Sequence, residues 1–91
     1  MKSGDFKGAA QDLDGLLAEK PKLIDALYMR AACDRYLSNY EGALKYLNDL
    51  KNIKPDYGRA YQEEGHVYRA IGRSDQALIA YQRACSFNPV S

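Results

Sequence analysis

Ninety-one residues allow one small domain, and a chain of this size leaves a large share of its surface in water even when folded, with no room for a separate catalytic domain. Thirteen Lys and Arg against 12 Asp and Glu leave a net charge of +1, so the long-range field that gathers nucleic acid or an anionic membrane is missing. No run approaches the ~20 apolar residues a bilayer-spanning helix needs, and the opening MKSGDFKGAAQDLDGLL carries acidic residues where a secretory signal has its apolar region; a cytoplasmic protein is expected.

Five helices are predicted in chain order. The first runs from Phe6 to Ala18, where Ala9, Leu13 and Leu16 recur at spacings of three and four, the mark of one helix face. A second is expected over about Leu23 to Leu37. Ser38 followed by Glu41 fits a capping box for the third, Tyr40 to Ile53, which carries Ala43, Leu47 and Leu50 in the same frame. Asp56 is placed to cap the fourth, Tyr57 to Ile71, and Gly72 to end it, because glycine accepts the left-handed conformation at a helix C-terminus. The fifth, Asp75 to Phe87, follows the Ser74 hydroxyl, sets Asp75 at the positive end of its dipole and repeats the frame as Ala77, Tyr81 and Ala84. Connections of a few residues force neighbouring helices to run antiparallel.

The frame is a repeat. Pro21, Pro55 and Pro89 lie 34 residues apart, and the alanine and leucine columns keep the same register. Tyr61, Gly65, Tyr68, Gly72, Ala77, Tyr81, Ala84 and Pro89 resemble the tetratricopeptide pattern over residues 58–91. Leu27, Ala31, Ala43, Leu47 and Pro55 fit it over 24–57, and 4–21 looks like the second helix of a partial repeat. Asp34 departs from the pattern, standing where the aromatic Tyr68 recurs. The resemblance implies an all-α fold, antiparallel helical hairpins stacked in a right-handed superhelix within one domain spanning 1–91. It also implies a concave wall, lined by the first helix of each hairpin, that holds a protein or peptide segment.

Placed on that frame, Tyr28, Ala32, Arg35 and Tyr36 face inward from one helix, and Arg59, Gln62, Glu63, His66, Arg69 and Ala70 from the next. Aromatic and arginine side chains suit such a wall because they bring area and directed hydrogen bonds. Some members of the family clamp a terminal carboxylate with lysines and asparagines. Here the corresponding positions hold Tyr28, Met29, Ala32, Arg59 and Glu63, of which only Arg59 suits an anion, and this argues against that role. Small Ala31 and Gly65 should let neighbouring helices approach closely, while Tyr40, Tyr61, Tyr68 and Tyr81 should pack in the core.

No chemistry emerges. His66 is the only histidine and has no serine or cysteine one turn away; there is no phosphate-binding glycine loop, and Cys33 and Cys85 lack metal or redox spacing and should be buried free thiols. Neither cofactor nor metal is expected, and the chain is not read as an enzyme. Arg30 and Glu64, at equivalent positions of successive first helices, should form an ion pair between hairpins. The apolar last helix suggests a segment of a longer repeat protein, with ends that self-associate. A helper segment of a larger enzyme, such as a sulfotransferase carrying these repeats, and a spacer that binds nothing specific are the alternative readings.

Overall fold

A computed structural model describes residues 6–87; the first five residues and the terminal Asn88, Pro89, Val90 and Ser91 lie outside that range. Five helices follow one another: α1 (Phe6–Glu19), α2 (Ile24–Tyr36), α3 (Tyr40–Ile53), α4 (Gly58–Ala70) and α5 (Ser74–Phe87). Each packs on the next in sequence, α2 also touches α4, and neither α1 with α3 nor α3 with α5 makes direct backbone contact. The first-type helices α2 and α4 therefore form one wall, while the second-type helices stand apart on the other side.

The alanine and leucine columns explain the stacking. Leu27, Ala31, Ala43, Leu47, Leu50, Ala60 and Val67 make one core cluster across α2, α3 and α4. Ala10, Leu13, Ala26 and Cys33 make a smaller one between α1 and α2. Ala43 and Ala77 are both buried, as close helix crossings require. Gly65 marks the tightest approach: a Cβ there would lie 2.5–2.9 Å from ring atoms of Tyr81. At the equivalent positions one repeat earlier, Ala31 and Leu47 are fully buried in the same cluster, so the pair Gly with Tyr replaces the pair Ala with Leu. Tyr61 is buried, and its hydroxyl donates to the Pro55 carbonyl at 2.8 Å, fastening the α3–α4 connection. Tyr40, Tyr68 and Tyr81 are half-buried.

The helix ends correct two expectations. Ser38 is not the cap of α3. It takes a left-handed φ of 64°, as Gly72 does at 81° one repeat later, and both terminate a first-type helix in the same way. Asn39 N–H donates to the Asp34 carbonyl and Ser38 N–H to Arg35, just as Arg73 donates to Tyr68 and Gly72 to Arg69. The cap of α3 is Asn39, whose side chain accepts from Gly42 N–H at 3.4 Å. Asp56 does not cap α4: Tyr57 holds that position without a side-chain hydrogen bond. Cys33 is buried as expected, but Cys85 is exposed, a correction to the reading of both as buried thiols. Burial pushes the Cys33 thiol up, with Arg30 opposing, and this keeps it protonated and unreactive.

Candidate functional site

The wall made by α2 and α4 is bound together by charge. Arg35 on α2 donates to the Glu63 carboxylate on α4, and Glu63 is buried. Burial works against the Arg35 charge, yet the Glu63 carboxylate outweighs it and holds the guanidinium above its usual range. The same guanidinium lies 4.5 Å over the Tyr36 ring. Tyr36 is exposed and stacks on Phe6 of α1, with centroids 4.3 Å apart and planes 9° from parallel. Two residues placed on the wall from sequence are thus consumed in holding it together, and a third closes its end against α1.

Tyr28 is half-buried, edge-on to Tyr57 at 6.4 Å. Burial raises its hydroxyl pKa, and Glu63 adds to this while Arg59 and Arg35 oppose it, which puts all four groups within one electrostatic neighbourhood. Ala32 is half-buried one turn further along α2. On α4, Arg59, Gln62, Arg69 and Ala70 are exposed, and the two arginines make no ion pair among the described residues. Arg59 also borders a cavity of about 270 Å³ shared with Lys54, Tyr57 and Phe87. His66 turns away from this company: its Nδ1 is 2.9 Å from the Tyr81 hydroxyl, with the rings edge-on at 5.5 Å, so it serves the α4–α5 hairpin.

The predicted ion pair of Arg30 with Glu64 is overturned. Arg30 Nε donates to Asp14 Oδ1 of α1 at 2.8 Å and Nη2 to Asp14 Oδ2 at 3.5 Å, while Nη1 donates to Asp34 one turn away. Glu64 pairs instead with Lys51 of α3. The reason is geometric: this position on a first-type helix faces back onto the preceding second-type helix, not across to the next hairpin. The signal was available, since Asp14 and Lys51 offer the opposite charge on the helix immediately before.

Asp34 accounts for the departure at the aromatic column. It is buried, held by Arg30, and its Oδ2 makes no satisfied hydrogen bond, although the Asn39 amide is near enough to favour the ionised form. Burial still wins and raises its pKa, with Arg30 as the main opposing influence. Gly42 makes the space: a Cβ there would stand 2.7 Å from Oδ2 and 2.5 Å from the Asn39 amide nitrogen.

An alternating array of antiparallel helices whose first members line one face and are tied to each other by a buried ion pair defines a helical-repeat scaffold. Comparison with known families gives it a name. Two models described as tetratricopeptide repeat match residues 1–64 and 58–91, and the chain belongs to that family. It is also similar to a small glutamine-rich tetratricopeptide repeat-containing protein 2 of Mycosarcoma maydis, 25% identical over 89 residues. That match covers 98% of this chain but only 25% of the relative, so the chain spans about a quarter of that protein's length. Family membership supports a protein-interaction scaffold, and among the described residues no helix is long and apolar enough to cross a membrane.

Proposed function

We propose that the face shared by α2 and α4 binds a peptide segment of another protein. The observation that carries this reading is the Arg35–Glu63 pair, which fixes the two helices as one surface before any ligand arrives. A pre-formed surface spares a ligand the cost of ordering it. Tyr28 and Ala32 would supply the apolar floor, and Arg59, Gln62 and Arg69 the polar groups that remain free to point at a ligand. Arg35 and Glu63 then act as framework, Tyr36 as the end wall, and His66 contributes through Tyr81 alone.

The test is affinity capture with the 91-residue chain and with a Tyr28→Ala, Arg59→Ala double variant, using Gln82→Ala on exposed α5 as the control. Partners held by the chain and by the control but lost from the double variant support the reading. Partners retained by all three would leave the spacer reading in its place. The exposed apolar residues of α5, Leu78, Ile79 and Phe87, favour self-association as an accompanying property. Light scattering across a concentration series should show mass rising with concentration, and Leu78→Glu should return the chain to a monomer.

A further inference from the structure

The second-type helices enclose a site that the α2–α4 wall does not use. Between α3 and α5 lie two neighbouring cavities, of about 620 and 270 Å³, that share Tyr68 and Gln76 in their walls. The two helices point the same way with their backbones apart, and α4 floors the space between them. Lining residues extend from Tyr40 to Lys51 along α3, roughly 16 Å at the rise of an α-helix.

This cleft is not a property of every repeat. One repeat earlier, between α1 and α3, the corresponding space is occupied: the Arg30 guanidinium lies 5.2 Å over the Tyr46 ring and is tied to Asp14 and Asp34. In the later cleft, Ala80 stands where Tyr46 stood, Glu64 replaces Arg30, and Tyr68 replaces Asp34. The ring that would fill the space is gone, and an aromatic floor has taken the place of a carboxylate.

Its lining chemistry is specific. Leu44, Tyr68, Ile71 and Ile79 give apolar surface, and Ile71 and Ile79 are exposed large apolar residues. Of the charges, Lys51 and Glu64 neutralise each other, which leaves Arg73 at one end and Arg83 at the other against the single carboxylate of Glu41. The Arg73 guanidinium donates to the neutral Gln76 at 3.4 Å, and neither Arg73 nor Arg83 makes an ion pair among the described residues. Free cations at the rim of an apolar trough complement carboxylates flanking apolar side chains.

We infer that the cleft between α3 and α5 is a second docking surface, and that its occupant is an acidic peptide segment bearing apolar side chains from another protein. It is independent of the α2–α4 reading, because Glu64 and Tyr68 line it from α4 yet none of its lining residues is among those proposed to meet a ligand on that wall.

A displayed library of random peptides, panned against the whole chain, tests this without a known partner. Enriched peptides should combine Asp or Glu with Leu, Ile or Phe. Measured by fluorescence polarisation, they should bind Arg83→Glu about tenfold more weakly or worse, the weight of one charge-assisted hydrogen bond, and bind Lys45→Glu, which carries the same charge change outside the cleft, as they bind the parent. Ala80→Tyr, which restores the ring of the earlier repeat, should abolish binding. Arg83→Glu lies on an exposed helix face, so its result stands even if Ala80→Tyr fails to fold. Recovery of no binder, no excess of acidic residues, unchanged affinity for Arg83→Glu, or an equal loss with Lys45→Glu would each overturn the inference. So would enriched peptides that all depend on Tyr28 instead of Arg83.

Discussion

Replacing Gly65 by alanine is the sharpest probe of how the hairpins stack. In a helix interior the change by itself stabilises by about 0.5–1 kcal/mol, because alanine loses less backbone freedom on folding. Here the new methyl would sit 2.5 Å from the Tyr81 ring, where ordinary contact begins near 3.4 Å, so the ring must retreat by roughly 1 Å. It is not free to do so, since its hydroxyl is engaged with His66 Nδ1 at 2.9 Å. Overpacking of this kind costs about 1–3 kcal/mol, and the balance is a net loss of about 1–2 kcal/mol.

The earlier repeat supplies the remedy. Ala31 tolerates its Cβ because the facing residue there is Leu47. In a Tyr81→Leu background, Gly65→Ala should therefore change sign and stabilise by about 0.5–1 kcal/mol. Urea denaturation followed by helical circular dichroism on the four proteins of the cycle would measure a coupling of about 2 kcal/mol between the two sites. An equal loss in both backgrounds, or no loss in either, would refute the claim that this contact sets the helix spacing.

Three further outcomes follow from the same geometry. Arg35→Ala should destabilise by about 3 kcal/mol, since it leaves Glu63 buried without a partner, and Glu63→Gln added to it should restore much of the loss; denaturant midpoints of the single and double variants decide this. Asp34 has a raised pKa in the fold, so its neutral form is favoured and ionisation costs stability as the pH rises through that value. Between neutral pH and the ordinary value of 3.8, acidification should therefore stabilise the parent relative to Asp34→Asn, and midpoints that diverge in the opposite direction would reverse the assignment. Ser38→Gly should stabilise by about 1 kcal/mol, because it relieves a side chain at φ 64° that Gly72 avoids one repeat later; thermal unfolding reports it.

Much of the fold was legible because a repeat writes its constraints more than once. Ala43 and Ala77 are buried as their column required, and Gly65 is small because something large crosses it. What escaped was local. Ser38 reads as a helix start by composition, and only its register with Gly72 identifies it as the left-handed residue that ends α2. On the α2–α4 face, sequence offered Arg35 and Glu63 as contact groups for a ligand, whereas they pair with each other, since helical spacing cannot tell a side chain that faces a ligand from one that reaches its neighbour. The cleft between α3 and α5 is marked in sequence only by Ala80 standing at the repeat position of Tyr46, and its meaning emerges once the Tyr46 ring is seen packed under Arg30.

The ion pairs that replaced the predicted one favour the order in which the hairpins stack. Arg30 meets Asp14 on the preceding helix, whereas Glu64 meets Lys51, so the polarity is reversed from one interface to the next. Apolar columns repeat at 34 residues and by themselves would let α2 settle on α3's outer face, or α4 on that of α1. The first exchange would set Arg30 beside Lys51, and the second Glu64 beside Asp14. Like charges brought together disfavour both arrangements, the Arg30–Lys51 encounter more because both side chains are partly buried and Asp14 is exposed, while the observed order satisfies all four residues. Repetition supplies the packing, and alternation of charge supplies the sequence in which the units pack.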